Sequence, residues 1–534
     1  MSEKTEPTNG VKAEEVPSNG VTEKQEDTTA AKAAAKAKQL HEQDSDGYVV
    51  DVDTEAAGSE TGVKVAKDGH TRLIPQPSDD PNDPLNWSWG KKHLILFIIS
   101  WASFLPDYGS ATGAVTLIPQ AVEWNTTPDT VNHSQAGNVF MLGAGGVVVV
   151  LLSAYFGRMP IVFWFLLAST ATAAWCAAAT SLDSFTAARI LNGFFSTVSQ
   201  AGGLMFIQDI FFFHERARKI NIWSSFIIIS PYAGPLLTAF MLDTQKWPIP
   251  FWVYFAMNVV AVFLVVGWLQ ETYYDRSIPV ADQPARGSRI GRLIGMAQYK
   301  SRHLRNTFGQ ACWRTVSVLI KPIILISCFF YAFTFAWAVG INTTLSIFVT
   351  PLYGFGPKQI GFFYFTPIVA VILGEVIGHW VHDAFANYYI RTHKGHFEPE
   401  VRLRVIYLAL PLVIVGLVLF GQAMEDAWHY MAAAVVWGLY VFGMMITTVA
   451  LNSYCLDAYP EASGEVCAWL NFSRTVGGFI VSYFQVRWAD AQGTKLSFGI
   501  QGAVCAAAVL LIVVLQVWGK RLRIWAGPLN FTTN

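Results

Sequence analysis

Apolar stretches of about twenty residues follow one another along most of this chain, beginning just after Lys92. An α-helix needs about 20 mostly apolar residues to cross the hydrocarbon core of a bilayer. The sequence therefore predicts an all-α membrane protein with twelve transmembrane helices. The predicted spans are 93–113, 134–155, 160–180, 185–208, 219–241, 249–270, 319–350, 359–381, 404–423, 428–451, 464–486 and 497–518.

The composition supports this fold class and excludes others. Only 14% of the 534 residues are charged, whereas soluble domains carry about 25% charged residues. The net charge of −1 leaves no basic surplus for binding nucleic acid, so no nucleic-acid partner is expected. The six cysteines are scattered without a CxxC pair, which argues against a disulfide framework or a zinc ribbon.

The chain divides at a long polar gap between the sixth and seventh predicted spans, which contains the basic stretch RGSRIGRLIGMAQYKSRHLRN. The first 70 or so residues contain almost no aromatic side chains, and such a segment cannot bury enough apolar surface to fold alone. We therefore predict a disordered cytosolic tail (1–88), a first six-helix bundle (89–270), a cytosolic loop (271–318), a second six-helix bundle (319–525) and a short cytosolic tail (526–534).

Lys and Arg concentrate in alternate loops, such as HERARK (214–219) and GKRLR (519–523), whereas the loop 123–134 has none. Because basic loops remain on the cytosolic side, both termini are predicted to be cytoplasmic, with the plasma membrane as the expected location. Two N-x-S/T sequons, at Asn125 and Asn132, follow the first span. They are predicted to face outside, and at least one of them is expected to carry a glycan.

The stretch GEVIGHWVHD (374–383) concentrates ionisable side chains in an apolar region. Glu375, His379 and His382 would share one face of a helix, and their spacing suits a metal site. Alternatively, the stretch is the polar inner end of a transmembrane helix that Asp383 closes. The spacing alone leaves both interpretations open.

The stretch LLSAYFGRMPIVFW (151–164) contains Gly157, Arg158 and Pro160. It resembles the signature loop between the second and third helices of the major facilitator superfamily, in which an acidic residue precedes Arg, Gly, Arg and Pro. Two positions depart from that pattern, because Ala154 stands where the acid is usual and Met159 replaces the second basic residue. The resemblance therefore implies a weakened cytosolic charge latch in the first half.

Two further stretches resemble motifs of the drug:proton antiporters in this superfamily. ARILNGFFSTVSQAGG (188–203) has Arg189 and Gly193 of an Arg-x-x-x-Gly motif, and SPYAGPLLTAF (230–240) has Gly234 and Pro235 of a Gly-Pro motif. The whole chain resembles the twelve-span fungal family of these antiporters, in the group that includes polyamine- and histidinol-type transporters. The resemblance implies two six-helix bundles with the binding site near the midplane between them.

In such a fold, residues 374–383 occupy the inner end of the eighth span. The resemblance implies that Gly378 and Asp383 belong to an inner gate, where the carboxylate accepts hydrogen bonds from a neighbouring helix end. It favours a gate over a metal site, so no metal or other cofactor is expected.

Ionisable side chains inside the predicted spans are candidates for function, because charge in hydrocarbon is costly. We expect Asp107 to alternate between pairing with Arg189 and holding a proton or a substrate cation. Glu375 is the next candidate carboxylate. Arg474, near mid-depth, is either functional or a donor to free backbone carbonyls. The amide side chains predicted to face the cavity are Asn192, Gln200, Asn342 and Asn471.

These observations predict a proton-coupled secondary transporter that exports drug-like or secondary-metabolite compounds. Uptake of amines or polyamines is the alternative, and a nutrient sensor that does not transport is a third hypothesis. No nucleophile elbow, HExxH or P-loop motif occurs in the sequence, so an enzyme is not expected. The expected partners are a small-molecule substrate, protons and the lipid bilayer, and the protein is expected to be a monomer.

The predicted topology can be tested by glycan mapping. An acceptor sequon inserted into the loop 271–318 should remain unmodified, whereas one inserted into the loop 123–134 should be modified, because glycans are added only on the lumenal side. Endoglycosidase-sensitive mobility on a gel is the measurement. A glycan on the 271–318 insertion would refute the orientation.

Overall fold

A computed structural model describes residues 73–274, 276, 280, 283–284, 287–302, 307–393 and 396–527, together with 48–49 and 64. The side chains of His379 and Asp383 are not among those described. The predicted disorder of the tail, and most of residues 1–88, therefore lie outside the described residues. The first helix begins at Trp89, where the predicted first bundle begins.

Seven helices form the first half of the protein. They are α1 (Trp89–Glu123), α2 (Pro128–Phe156), α3 (Arg158–Ala178), α4 (Leu182–Ser196), α5 (Val198–Ile210), α6 (Phe213–Leu242) and α7 (Pro248–Trp268). Helices α4 and α5 form one span with a break at Thr197.

In the described residues after Trp268, ten α-helices follow, of which the first three lie between the halves. They are α8 (Arg289–Ile294), α9 (Met296–Lys300), α10 (Phe308–Ile320), α11 (Pro322–Tyr353), α12 (Pro357–Phe363), α13 (Phe365–Thr392), α14 (Ile406–Glu425), α15 (Tyr430–Ala458), α16 (Ser463–Gln492) and α17 (Thr494–Ala526). Short 3-10 helices occupy Pro84–Asn86, Pro399–Val405 and Pro460–Ala462, and strands β1 (Tyr48–Val49) and β2 (His396–Phe397) pair antiparallel.

Eleven helical stretches in the described residues are long and apolar enough to cross a membrane. The one predicted span not among them is the eleventh in chain order, 464–486, which corresponds to α16; this helix is 30 residues long but is too polar to be one of the eleven. Its Glu465, Arg474 and Gln485 side chains are buried. Helix α16 packs against α11 on one side and α2 on the other, so these polar groups face protein rather than lipid.

The loop predicted at 271–318 is partly helical. In α10, Phe308, Trp313 and Ile320 are exposed, whereas Ala311 and Val318 are buried against the bundle. Large exposed apolar side chains on a short helix beside a membrane span are typical of a helix in the interfacial plane. The sequence pattern did not reveal this helix, because thirteen residues are too few to cross a membrane.

The two halves contact each other mainly through α2 and α16, with α1 against α11 and α6 against α12 and α13. Glycines permit the closest approach. A Cβ at Gly143 of α2 would lie 2.1 Å from Thr475 Oγ1 and 3.0 Å from Phe472 Cα, both on α16. Small residues let helix backbones approach closely in a membrane, so Gly143 sets the spacing between the halves.

Replacing Gly143 with Val should therefore force α2 and α16 apart. Overpacking of a tight contact costs about 1–3 kcal/mol, so the Gly143→Val protein should melt at a lower temperature in detergent. Gly499→Val is the matched control, because a Cβ there meets nothing within 4 Å. Equal melting temperatures for the two variants would contradict the assigned role of Gly143.

Candidate functional site

The centre of the site is a buried ion pair between the two halves. Asp107 lies on α1, and its Oδ2 accepts hydrogen bonds from Arg474 Nη1 at 3.0 Å and from Gln200 Nε2 at 2.8 Å. Arg474 belongs to α16 of the second half and Gln200 to α5 of the first. Each side chain of the ion pair is about one-tenth exposed or less.

A second nitrogen of Arg474 also has partners. Its Nη2 donates to Asn471 Oδ1 at 2.8 Å and to Gln200 Oε1 at 3.3 Å. The guanidinium carbon lies 5.1 Å from the ring centre of Phe335. A buried charge pair is tolerated when its remaining hydrogen-bonding groups are satisfied. Gln200 and Asn471, which the sequence predicted as cavity residues, accept those hydrogen bonds here.

The predicted pairing of Asp107 with Arg189 is wrong in this structure. Arg189 is 1% exposed, and its Nη1 and Nη2 donate to the backbone carbonyls of Gly109 and Ser110, each at 2.6 Å. The glycine at 113 provides the space, because a Cβ there would lie 2.9 Å from Arg189 Nη2. The carbonyl-binding role considered for Arg474 thus belongs to Arg189, which ties α4 to α1.

Two small cavities flank the Asp107–Arg474 pair, and Arg474 lines both. One has a volume of about 40 Å³ and is also lined by Gln135, Tyr232 and Asn342. The other, of about 30 Å³, lies toward the end of the bundle where α16 begins and is lined by Trp223 and Cys467. Each holds a few water molecules at most. Neither admits a drug-sized molecule, for which sites of about 300 Å³ or more are usual.

The Gly-Pro motif positions an amide of the opposite half. Pro235 has no N–H to donate to the carbonyl of Pro231, one helical turn earlier. Asn342 of α11 supplies the missing donor, with its Nδ2 2.9 Å from the Pro231 oxygen. A Cβ at Gly234 would lie 2.6 Å from the Tyr108 carbonyl oxygen, so this glycine lets α6 approach α1.

Two other predicted residues lie apart from the pair. Asn192 does not face the cavity, which corrects its prediction. Its Nδ2 donates to the Ser169 carbonyl at 3.1 Å, and its Oδ1 accepts from Tyr254 at 3.2 Å, so it links helices within the first half. Glu375 lies on α13 close to Ser225 of α6, and it lines neither of the two cavities.

Other small residues predicted from motifs act in close packing and turns. A Cβ at Gly193 would lie 2.4 Å from the Asn138 carbonyl oxygen, so this glycine lets α4 approach α2. Gly157 has φ +93° and ends α2, a conformation that favours glycine. Pro160 is buried in the first turn of α3, and Gly378 is buried in α13.

The turn between α2 and α3 contacts more charged side chains than the sequence predicted. Arg158 forms an ion pair with Asp209 at the end of α5 and donates to the Met205 carbonyl at 2.9 Å. The carboxylate of Glu271 accepts the backbone N–H groups of Arg158 and Met159, each at 3.2 Å. The predicted weakening at Ala154 is thus corrected, because carboxylates from the ends of other spans serve this turn. No sequence motif links them.

The second-half gate is only partly described. The backbone of Asp383 lies within α13, but its side chain is outside the described residues, as is that of His379. The prediction for the Asp383 carboxylate therefore stays a prediction. Among the side chains that are described, no group of three His, Cys, Asp or Glu has a metal-binding arrangement.

The two sequons differ in accessibility. Asn125 is exposed in the connection between α1 and α2. Asn132 is fully buried in α2, and its Nδ2 donates to the Ser482 carbonyl at 3.3 Å. The prediction that Asn132 carries a glycan is therefore wrong for the folded protein, because the amide nitrogen that would be modified lies between the two halves.

Residues 96–482 match the model of the Major Facilitator Superfamily. The chain belongs to the major facilitator superfamily. It is therefore a multi-pass membrane transporter and not an enzyme.

Several fungal transporters are similar to this superfamily member. An uncharacterised MFS-type transporter of Schizosaccharomyces pombe is 22% identical over 91% of this chain and 95% of its own. Efflux pump radE of Floropilus chiversii is 24% identical, with 83% of each chain covered. MFS-type transporter hepF of Aspergillus oryzae is 23% identical over 83% of this chain and 92% of its own.

Solved structures show the same fold. A structure of the proton:xylose symporter XylE has a TM-score of 0.59 and 14% identity, and the match covers 83% of this chain and all of that one. At this identity the likeness concerns the fold alone.

Double-mutant cycles test whether Arg474, rather than Arg189, is the partner of Asp107. Asp107→Asn and Arg474→Gln should each cost several kcal/mol, about 3–5 for breaking a buried pair, and the double variant should cost much less than their sum. The cycle of Asp107→Asn with Arg189→Gln should show a coupling below about 1 kcal/mol. Unfolding free energies in detergent are the measurement. The reverse order of coupling would contradict the assignment.

Proposed function

We propose that this protein is a proton-coupled secondary transporter that exports small organic molecules. The proposal depends mainly on one observation. The Asp107–Arg474 pair joins the two halves and separates two cavities, one on each side of it. A group in this position is reached by water from one side or the other as the halves tilt.

The pair gives a physical means of coupling. Separation of α1 from α16 would leave Asp107 and Arg474 as unpaired charges, and breaking a buried pair in this way is strongly unfavourable. A proton on Asp107 removes one of the two charges. We infer that Asp107 exchanges Arg474 for a proton when the halves separate, in place of the exchange with Arg189 expected from the sequence.

The cavity linings support an amphipathic substrate with an aromatic or cationic part. Tyr232 and Phe335 line the first cavity, and Trp223 and Tyr331 line the second. Aromatic faces attract cations and stack on flat apolar groups. One relative is named an efflux pump, which supports export. Uptake of amines or polyamines, to which the group resemblance points, is the alternative, and a non-transporting nutrient sensor is the alternative of another class.

The distribution of basic residues among the loops supports the proposed orientation. We propose that both termini are cytoplasmic, that the protein acts as a monomer in the plasma membrane and that the cavity beside Cys467 faces the cytosol. The ends of α5, α13 and α17 then lie on the inner side, and the exposed Asn125 lies outside, where it is available for glycosylation.

Proteoliposomes with an imposed pH gradient test the coupling. A panel of aromatic weak bases and neutral aromatic compounds should contain at least one that the protein accumulates, and a protonophore should abolish the accumulation. Asp107→Asn fixes the neutral form, so gradient-driven accumulation should fall at least about tenfold while exchange of labelled for unlabelled compound persists. Asp426→Asn, on an exposed outer residue, is the control.

The same assay separates the hypotheses. Normal gradient-driven transport by Asp107→Asn would contradict the coupling role and direct attention to Glu375. Saturable binding of a panel compound without any flux by the parent protein would favour the sensor.

A further inference from the structure

The segment before the first transmembrane helix contacts both halves of the protein. We call residues 73–88 the N-terminal strap. Its sequence, LIPQPSDDPNDPLNWS, contains four prolines, which prevent a continuous helix and limit the conformations of the free segment. The described part of the strap is ordered by contacts with loops at the ends of the spans where both termini lie.

The strap is bound to the first half by a buried carboxylate. Asp83 is fully buried, and its oxygens accept from Arg276 Nη2 at 2.8 Å and from the backbone N–H of Leu85 at 3.0 Å. Arg276 and Tyr274 follow α7, and the Tyr274 hydroxyl donates to Asp80 at 3.2 Å. Leu85 is also buried, and its carbonyl accepts from Lys92 of α1 at 2.9 Å.

The other end of the strap is bound to the second half. Ile74 packs against a small apolar cluster formed by Tyr389 of α13 with Phe397 and Val401. That cluster is fixed to the second half, because Glu398 accepts from the Tyr389 hydroxyl and from Lys520 of α17, each at 3.0 Å. Upstream of the strap, β1 adds a second attachment by pairing with β2 beside the same cluster.

We propose that the N-terminal strap is an autoinhibitory tie across the cytosolic face, and that it holds the inner ends of the two halves together until its Ile74 end detaches. This inference depends on the cytosolic orientation given under the proposed function, but not on the substrate or on proton coupling. Opening of the inner cavity must separate the cluster around Tyr389 from the loop that contains Arg276. A strap bound to both opposes that separation.

The two attachments differ in character. Burial alone would raise the pKa of the Asp83 carboxyl, but the Arg276 guanidinium and the N–H groups of Leu85 and Ser78 outweigh it and hold the pKa below its usual range. Because the pKa is lowered in the folded protein, the contact contributes stability at pH values above the carboxyl's unfolded-state pKa. That contribution is lost only in strong acid, as the pH falls through the folded-state pKa. The Asp83 end therefore stays charged and bound at cytosolic pH, and the apolar Ile74 end is the one that releases.

A native cysteine reports opening of the inner cavity. Cys467 lines that cavity, and its thiol donates to the Gln200 carbonyl at 3.1 Å across the contact between the halves. Cys176 is equally buried but lies within the first half, away from that contact. N-ethylmaleimide applied to inside-out vesicles, followed by mass spectrometry of the two peptides, gives a labelling ratio of Cys467 to Cys176. Cys312, which is partly exposed, is replaced by Ser throughout.

Ile74→Asp and Asp83→Asn should each raise the Cys467-to-Cys176 labelling ratio about fivefold, as expected when a closing contact is lost and the open population grows. Asp79→Asn is the matched control on the strap, because the Asp79 side chain is 91% exposed, and it should leave the ratio unchanged. General unfolding would raise the labelling of Cys176 together with that of Cys467, so unchanged Cys176 labelling identifies opening of the inner cavity. A ratio within twofold of the parent in both strap variants would overturn the proposal.

Discussion

A charge buried in a membrane protein must be paired or neutralised, and the arrangement of this protein follows from one such pair. Asp107 and Arg474 are both buried and belong to different halves. Their attraction joins α1 to α16 near the middle of each helix, between two cavities that are too small for substrate. The halves can separate there only if Asp107 becomes neutral or Arg474 finds another partner. Closure of the transporter and protonation of one carboxylate thus become linked events in the proposed mechanism.

The helices around the pair use glycine and proline to expose backbone groups to side chains. Gly113 admits Arg189 to the carbonyls of α1, and Pro235 leaves the Pro231 carbonyl to Asn342. Side-chain hydrogen bonds to such carbonyls are favourable inside a membrane, where no water competes. The Asn342 contact joins helices without adding charge, and the Arg189 guanidinium stays protonated in proteins. The ion pair is therefore the titratable contact among them, and the amides and Arg189 form the fixed frame around it.

The sequence predicted the fold well and the site only in part. Eleven of the twelve predicted spans correspond to helices that are long and apolar enough to cross a membrane, because apolar length is a strong signal, and the remaining prediction coincides with the polar helix α16. The choice between Arg189 and Arg474 as partner of Asp107 could not be made from the sequence, since depth along a span does not give the rotation of a helix. For the same reason Asn192 and Asn132 were assigned to the cavity and the outer loop, whereas both are buried in helix contacts. Asp209 and Glu271 were missed because their role depends on span ends that meet only in the folded protein.

Infrared difference spectroscopy tests the central claim most directly, because a protonated carboxyl group absorbs apart from a carboxylate. The spectrum would be recorded on reconstituted protein before and after addition of a transported compound that separates the halves. A protonated-carboxyl band that appears in the parent and is lost in Asp107→Asn is the predicted result. Two results would contradict the assignment of Asp107 as the group that exchanges Arg474 for a proton. One is the same band in Asp107→Asn, and the other is a band that persists only when Glu375 is intact.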